Sequence, residues 1–178
     1  MRTRTIVFFV VSAALISACN DKMAPVAGDA STTGNSQHSS NQPQAAVITA
    51  WEKPAAAVPH TALCNIDAIN GAVPTPAMQA DRGKPMSISG WVSTANLKNP
   101  GKFDLVFEGG NSYKVSSTTN TQRPDVAAGY KSADLGNAGF TLDLPSIDVE
   151  PGTYHLSLQH QGVDSATLCD AKIDLTIK

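Results

Sequence analysis

The chain has 178 residues, 42% of them hydrophobic and 16% charged, which gives room for one domain with a core and little beyond it. Its formal charge is -2, and no basic cluster follows Arg4. A net-negative surface of this kind repels a phosphate backbone, so nucleic acid is excluded as a partner.

At the amino terminus, Arg2 and Arg4 precede an apolar stretch from Ile6 to Ile16, and the small residues Ser17 and Ala18 lead into Cys19. Charged, apolar and small-residue zones in that order have the layout of an export signal. About eleven apolar residues form a helix of roughly 17 Å, well short of the roughly 30 Å of a bilayer core, so the stretch is not read as a membrane span. The four residues Ile16-Ser17-Ala18-Cys19 resemble the lipobox of bacterial lipoproteins. The resemblance implies cleavage before Cys19, a diacylglyceryl group on its thiol and acylation of the new amino terminus. Two or three acyl chains, at about 0.8 kcal/mol per buried methylene, make such attachment effectively permanent. Asn20 follows where inner-membrane retention uses aspartate, so the same resemblance implies an outer-membrane lipoprotein facing the periplasm.

From Met23 to Ala46 the chain is rich in Ser, Thr, Asn, Gln, Gly and Pro and has no aromatic residue. Such a composition buries too little apolar surface to offset the entropy of ordering, and the stretch reads as a disordered linker. The expected division is a signal peptide over 1–18, a lipidated cysteine with flexible linker over 19–59, and a folded domain over 60–178. Residues 47–62, with Val47 and Trp51, either dock on the domain as a strand or short helix or form a recognition segment within the tether.

The domain reads as short alternating runs. Met86, Ile88, Gly90 and Val92 fall on one face, as do Phe103, Leu105 and Phe107; then Tyr113 and Val115; Phe140, Leu142 and Leu144; Tyr154, Leu156 and Leu158; and finally Cys169, Ala171, Ile173, Leu175 and Ile177. A period of two over five to eight residues means half-buried strands. Asn99-Pro100-Gly101, Gly109-Gly110-Asn111, Pro151-Gly152 and Gln161-Gly162 supply the turns between them. The pattern predicts an all-β antiparallel sandwich of about seven strands, with solvent on the polar side of each sheet. Residues 123–135 break the alternation. Pro124 and Asp125 suit the first turn of a helix, so one helical turn is expected there. Arg123 and Asp125 either pair at a structural corner or mark a binding surface.

Three cysteines make an odd count, and lipidation of Cys19 removes one. Cys64 opens the domain and Cys169 lies on the inward parity of its last strand. In an oxidising compartment they are expected to form a disulfide closing a loop of about 105 residues, a stabilising rather than a redox-active bond.

At "DVEPGTYHLSL" the Pro-Gly-x-Tyr turn resembles the corner of immunoglobulin-like and fibronectin-like sandwiches, which implies that Tyr154 fixes that corner. Leu156 stands where antibody-type domains carry a disulfide cysteine, so the bridge here joins different strands. "RPDVAAGY", "NAGFTLDL" and "PGTYHLSL" together are similar to modules of bacterial envelope proteins, a resemblance that implies architecture and no activity.

Motifs for chemistry are sparse. His155 and His160, five apart on one strand, point to opposite faces and do not suit a shared ion. Asp148 and Glu150 lack the ligand density of a calcium loop, and no nucleophile elbow, phosphate loop or dinucleotide fingerprint is present. The expectation is a non-enzymatic module without metal or cofactor, anchored to the membrane by its lipid and meeting an envelope protein or polysaccharide. Trp91, Tyr113, Arg123, Asp125 and Tyr130 form the candidate binding surface. Alternatives are an inhibitor or immunity protein against an envelope-targeting hydrolase, a carbohydrate module using Trp51, Trp91, Tyr113 or Tyr130, and a hydrolase whose site is assembled from scattered Asp, Ser and His. Cys19→Ala is expected to abolish metabolic labelling with a fatty acid and to move the chain into the soluble fraction; labelling that survives the substitution overturns the lipid anchor.

Overall fold

The inward rows of apolar residues meet across two sheets. The computed structural model describes residues 46–54, 58–161 and 166–178, all within the unit Gln42–Lys178; the expected signal peptide, Cys19 and the expected linker as far as residue 45 lie outside the described residues. The strands are β1 (Ile48–Ala50), β2 (Cys64–Ile69), β3 (Ala77–Ala80), β4 (Met86–Val92), β5 (Lys102–Glu108), β6 (Tyr113–Thr118), β7 (Gly139–Leu144), β8 (Gly152–Gln161) and β9 (Ala166–Ile177). One sheet has the order β1-β6-β5-β8-β9-β3 and the other β2-β4-β7. The run β6-β5-β8-β9 has the strand order of the larger sheet in a variable-type immunoglobulin domain, and the fold is an all-β sandwich. Among the described residues, no helix is long and apolar enough to cross a membrane.

Four expectations need correction. Among the described residues there are nine strands, against the expected count of about seven. The pairing is not wholly antiparallel, since β3 runs parallel to β9, with Ala77 opposite Asp174 and Ala80 opposite Ile177. Sheet structure begins before residue 60: β1 pairs with β6, Ile48 opposite Val115, and the Trp51 N–H donates to the Ser112 carbonyl. Residues 47–54 therefore belong to the fold, because a strand at the open edge of β6 satisfies backbone groups that a linker would leave to water. Finally, neither sheet leaves its polar side wholly to solvent, as the next subsection describes.

The core holds the expected inward rows, among them Ile88, Leu105, Phe107, Phe140, Leu144, Leu156, Leu158 and Leu175, each at most 1% exposed. Gly90 is required where β2 crosses β4, since a Cβ there would lie 2.2 Å from the Asn65 carbonyl oxygen. The Tyr154 hydroxyl donates to the Glu150 carbonyl at 2.6 Å, which is the corner expected from the turn sequence. Burial of this ring pushes the Tyr154 hydroxyl above its ordinary pKa of 10.0. Cys64 and Cys169 form the predicted disulfide, Cα to Cα 6.0 Å, joining β2 of one sheet to β9 of the other.

Replacing Cys64 and Cys169 together by alanine is expected to lower the unfolding free energy by about 2–4 kcal/mol, read as a lower urea midpoint by circular dichroism. An unchanged midpoint would show that the core alone holds the sheets in register.

Candidate functional site

Each sheet has an outer face, and each outer face is partly roofed. Over the three-stranded sheet lies the connection between β6 and β7, which forms a helix α1 (Pro124–Tyr130) and a 3-10 turn (Ala133–Asn137). Pro124 sits in the first turn of α1 and Asp125 beside it, as the sequence predicts; Lys131, in the left-handed region at φ 53°, ends it. The connection buries Trp91, which points outward from β4, against Val126, Leu135 and Ala138. Tyr130 stacks at 5.4 Å on Trp91, tilted by 55°, and keeps 41% exposure.

Arg123 anchors this roof. Its Nε and Nη2 donate to Asp125 at 2.9 and 2.7 Å, and its Nη1 reaches Asp67 on β2 at 2.5 Å. The hydrogen bond from the Arg123 guanidinium holds the Asp125 carboxyl down to about 2, and its bond to Asp125 in turn raises the guanidinium further. Of the five candidate surface residues, Trp91, Arg123, Asp125 and Tyr130 thus come together on one side. Tyr113 does not join them: it sits at the start of β6 with its ring 5.9 Å from Tyr154, packed against the core. Trp51 and Trp91 are both buried, so no pair of them offers coplanar open rings for stacking on a sugar.

The outer face of the six-stranded sheet is roofed differently. After β1 the chain turns inward so that Trp51 lies over β8, its Nε1–H donating to the Gln159 Oε1 at 3.1 Å. Pro59 reaches the far strand, where its carbonyl accepts the Leu168 N–H. Beside Trp51 a polar row crosses the sheet, with Gln159 opposite Asp104 and Asp104 opposite Ser116. Asp104, 9% exposed, accepts from the Lys114 Nζ at 3.0 Å and from the Ser116 Oγ at 2.6 Å. Sequence reasoning missed Asp104 and Gln159 because polar residues on outward parity normally meet water; the signal was Trp51, an aromatic just upstream whose docking covers them.

Further along β8, the His155 imidazole lies between two carboxylates, Nδ1 2.8 Å from Asp174 and Nε2 2.8 Å from Asp170. A bulge in β9 makes this possible: His155 pairs with Asp174 and Ser157 with Asp170, so two steps on β8 face four on β9. Within the bulge Lys172 takes the left-handed conformation, φ 57°, and its N–H donates to Asp170 at 2.6 Å. The nearby Ser157 Oγ donates to Glu108, not to His155, so the histidine, carboxylate and serine do not assemble as a hydrolase relay. His160 lies inward, as its parity predicts, and contacts Thr167. Among the described residues no group of three His, Cys, Asp or Glu is placed to hold a metal ion. Asp148 and Glu150 go separate ways, to Arg82 and Asn111.

A scan against protein-family models finds no match for this chain, and a comparison with curated proteins finds none.

The hydrogen bond that His155 donates to Asp174, then that to Asp170, raises the imidazole above its ordinary 6.5 against the opposing effect of burial. Burial works against the ionised form of Asp170 as well, but the Lys172 N–H and His155 outweigh it and lower that carboxyl. An imidazolium donates to both aspartates and a neutral ring to one. The histidine's contribution to stability is therefore complete below the unfolded value of 6.5 and is lost as pH rises through the raised folded value; that of Asp170 is present above its unfolded value of 3.8 and is lost as pH falls through the lowered one. A proton NMR titration is expected to place the His155 midpoint above 6.5. Over roughly pH 6 to 8, His155→Asn is expected to remove a fall in stability that the parent shows; a midpoint at or below the ordinary value refutes the clamp.

Proposed function

We propose that the protein is a lipid-anchored component of a bacterial cell envelope, held by Cys19 in the outer membrane on its periplasmic side, and that its sandwich is a binding or scaffold module for an envelope protein or polysaccharide. The disulfide fits this placement, since such bonds persist in oxidising compartments. The observation that carries the binding role is the recess on the outer face of the six-stranded sheet, where Lys102, Asp104, Lys114 and Gln159 converge beside the docked Trp51. A few polar groups converging on one concave recess are what a recognition site requires. The module works by binding rather than catalysis: its one exposed histidine clamp spends both ring nitrogens on aspartates. A flexible tether over the roughly 28 residues between Cys19 and β1, with an average reach of about 30 Å, would let the anchored module meet partners at high effective concentration.

A second reading, an inhibitor or immunity protein of an envelope-targeting hydrolase, is favoured by the loop after β2. There Asn70 and Gly71, at φ 51° and 76°, form a tight turn closed by reciprocal bonds between Ile69 and Ala72, and Val73 just beyond is 82% exposed. A preorganised loop with an open apolar side chain suits insertion into a cleft.

Photo-crosslinking residues placed in the lipidated chain at Thr118, on the recess rim, at Val73 and at Ala133 separate these readings in living cells. The expected result is an envelope adduct from Thr118. Adducts from Val73 alone favour the inhibitor, adducts from Ala133 alone move the binding face to α1, and adducts from none of the three overturn the binding role.

A further inference from the structure

The recess beside Trp51 is an open hollow of about 640 Å3, a size within the range of small-molecule sites. Its floor includes Gln159, which is 3% exposed, and the orientation of that amide is fixed by chemistry. An indole nitrogen donates and never accepts, so the atom facing Trp51 is Oε1 and the amide nitrogen is turned the other way. Trp51 does not line the recess, whereas Gln159 does. Among the described residues no side-chain nitrogen or oxygen is buried without a hydrogen-bond partner, so Nε2, for which none is seen, keeps contact with solvent, and the recess is the open space that Gln159 lines. Water in the recess can accept from this donor, and so can a ligand that displaces the water.

The other groups define what that ligand is. Lys102 lines the same hollow, opposite Thr118, and no carboxylate among the described residues pairs with it. Lys114 spends one of its three protons on Asp104 and keeps two. Asp104, held by Lys114 and Ser116, retains lone pairs that can accept a hydroxyl proton. Two lysines against one aspartate leave the hollow with one positive charge in excess. A ligand that answers all of these groups carries a carboxylate for Lys102 and Gln159 and hydroxyls that donate to Asp104. A neutral sugar leaves Lys102 unanswered, and an acidic amino acid side chain brings no hydroxyl for Asp104.

We propose that this recess binds a carboxylated sugar of the uronic-acid class, with Gln159 and Lys102 holding the carboxylate, Asp104 accepting from a ring hydroxyl and Lys114 bridging the two. The inference rests on the binding-module reading and names the ligand class of that same site.

The test uses the Cys19→Ala chain, isotopically labelled and oxidised, titrated with glucuronate, glucose and N-acetylglutamate while the Gln159 side-chain amide and the Lys102 backbone amide are followed by NMR. Glucuronate is expected to shift both signals and to bind about tenfold or more tightly than either comparison compound. Gln159→Glu keeps an acceptor for Trp51 and replaces the recess donor by a repelling oxygen, so it is expected to lose glucuronate about tenfold or more with the sheet amides unmoved. Lys102→Gln, a surface change, is expected to bring glucuronate down to the level of glucose. No shift with glucuronate at tens of millimolar overturns the proposal, as does equal binding of N-acetylglutamate, which would assign the carboxylate to a peptide. If the sugar fails while crosslinks from Thr118 persist, the ligand class falls and the binding module stands; if both fail, the module reading falls with it.

Discussion

Ser157 and Gln159 stand on the outward side of β8, yet they are 1% and 3% exposed, while Tyr154, Leu156 and Leu158 on its other side fill the core. A strand buried on both faces is stable when its outward residues are apolar, or when every buried polar group finds a partner. β8 takes the second course. Glu108 accepts from Ser157, and Trp51 donates to Gln159. The second bond can form only if the chain before the domain's main strands folds back over the sheet, so β1, Trp51 and the contact at Pro59 are consequences of what β8 requires. The same requirement leaves the Gln159 nitrogen at the floor of a recess.

The two roofs obey one rule with different materials. On the three-stranded sheet the outward group needing cover is the Trp91 ring, and apolar residues of α1 and the following turn supply it. That connection has little core of its own, so its position depends on Arg123, which ties the start of α1 to Asp67 on β2 while pairing with Asp125. On the larger sheet the outward groups are polar, and the cover is an aromatic side chain that brings its own donor. Trp91 and Trp51 are therefore structural, each covering or covered at an outer sheet face, and polar groups lie at their margins.

Period two in the sequence was enough to find β4 to β9 and the inward rows, because a residue's parity on a strand fixes its face whatever the rest of the chain does. The corner at Tyr154 and the disulfide were legible for a similar reason, since each needs one turn motif or two inward-facing thiols. β3 was not legible: four residues of Ala-Met-Gln-Ala after Pro74 and Pro76 carry no alternating signal, and they form a strand because β9, paired with β8 on one side, offers its other side over Asp174–Ile177 as a parallel edge. The recess was hidden likewise. Asp104 and Gln159 look like ordinary solvent-facing positions, and their burial is decided by Trp51, more than fifty residues away in sequence from Asp104 and over a hundred from Gln159. Tyr113 lies apart from the other four candidate surface residues because its inward parity, shared with Val115, turns its half-buried ring toward Tyr154.

The bulge in β9 shows how a polar site can be added to such a sheet without disturbing the core. Four steps on β9 against two on β8 amount to two extra residues, and an even insertion preserves parity. Leu175 and Ile177 therefore still face inward beyond it, at 0% and 2% exposure. One extra residue would have turned both of them out to solvent and brought Asp174 and Thr176 into the core. Because two are inserted, Asp170 and Asp174 can close on His155 from either side, with Lys172 taking the strained turn between them. The outer face of β8 thus carries two polar arrangements of opposite character: an exposed histidine bonded through both ring nitrogens at one end, and at the other a largely covered amide whose oxygen is bonded to Trp51 and whose nitrogen is left to solvent. A hydrogen bond made to a new acceptor by that nitrogen would displace water and no protein contact.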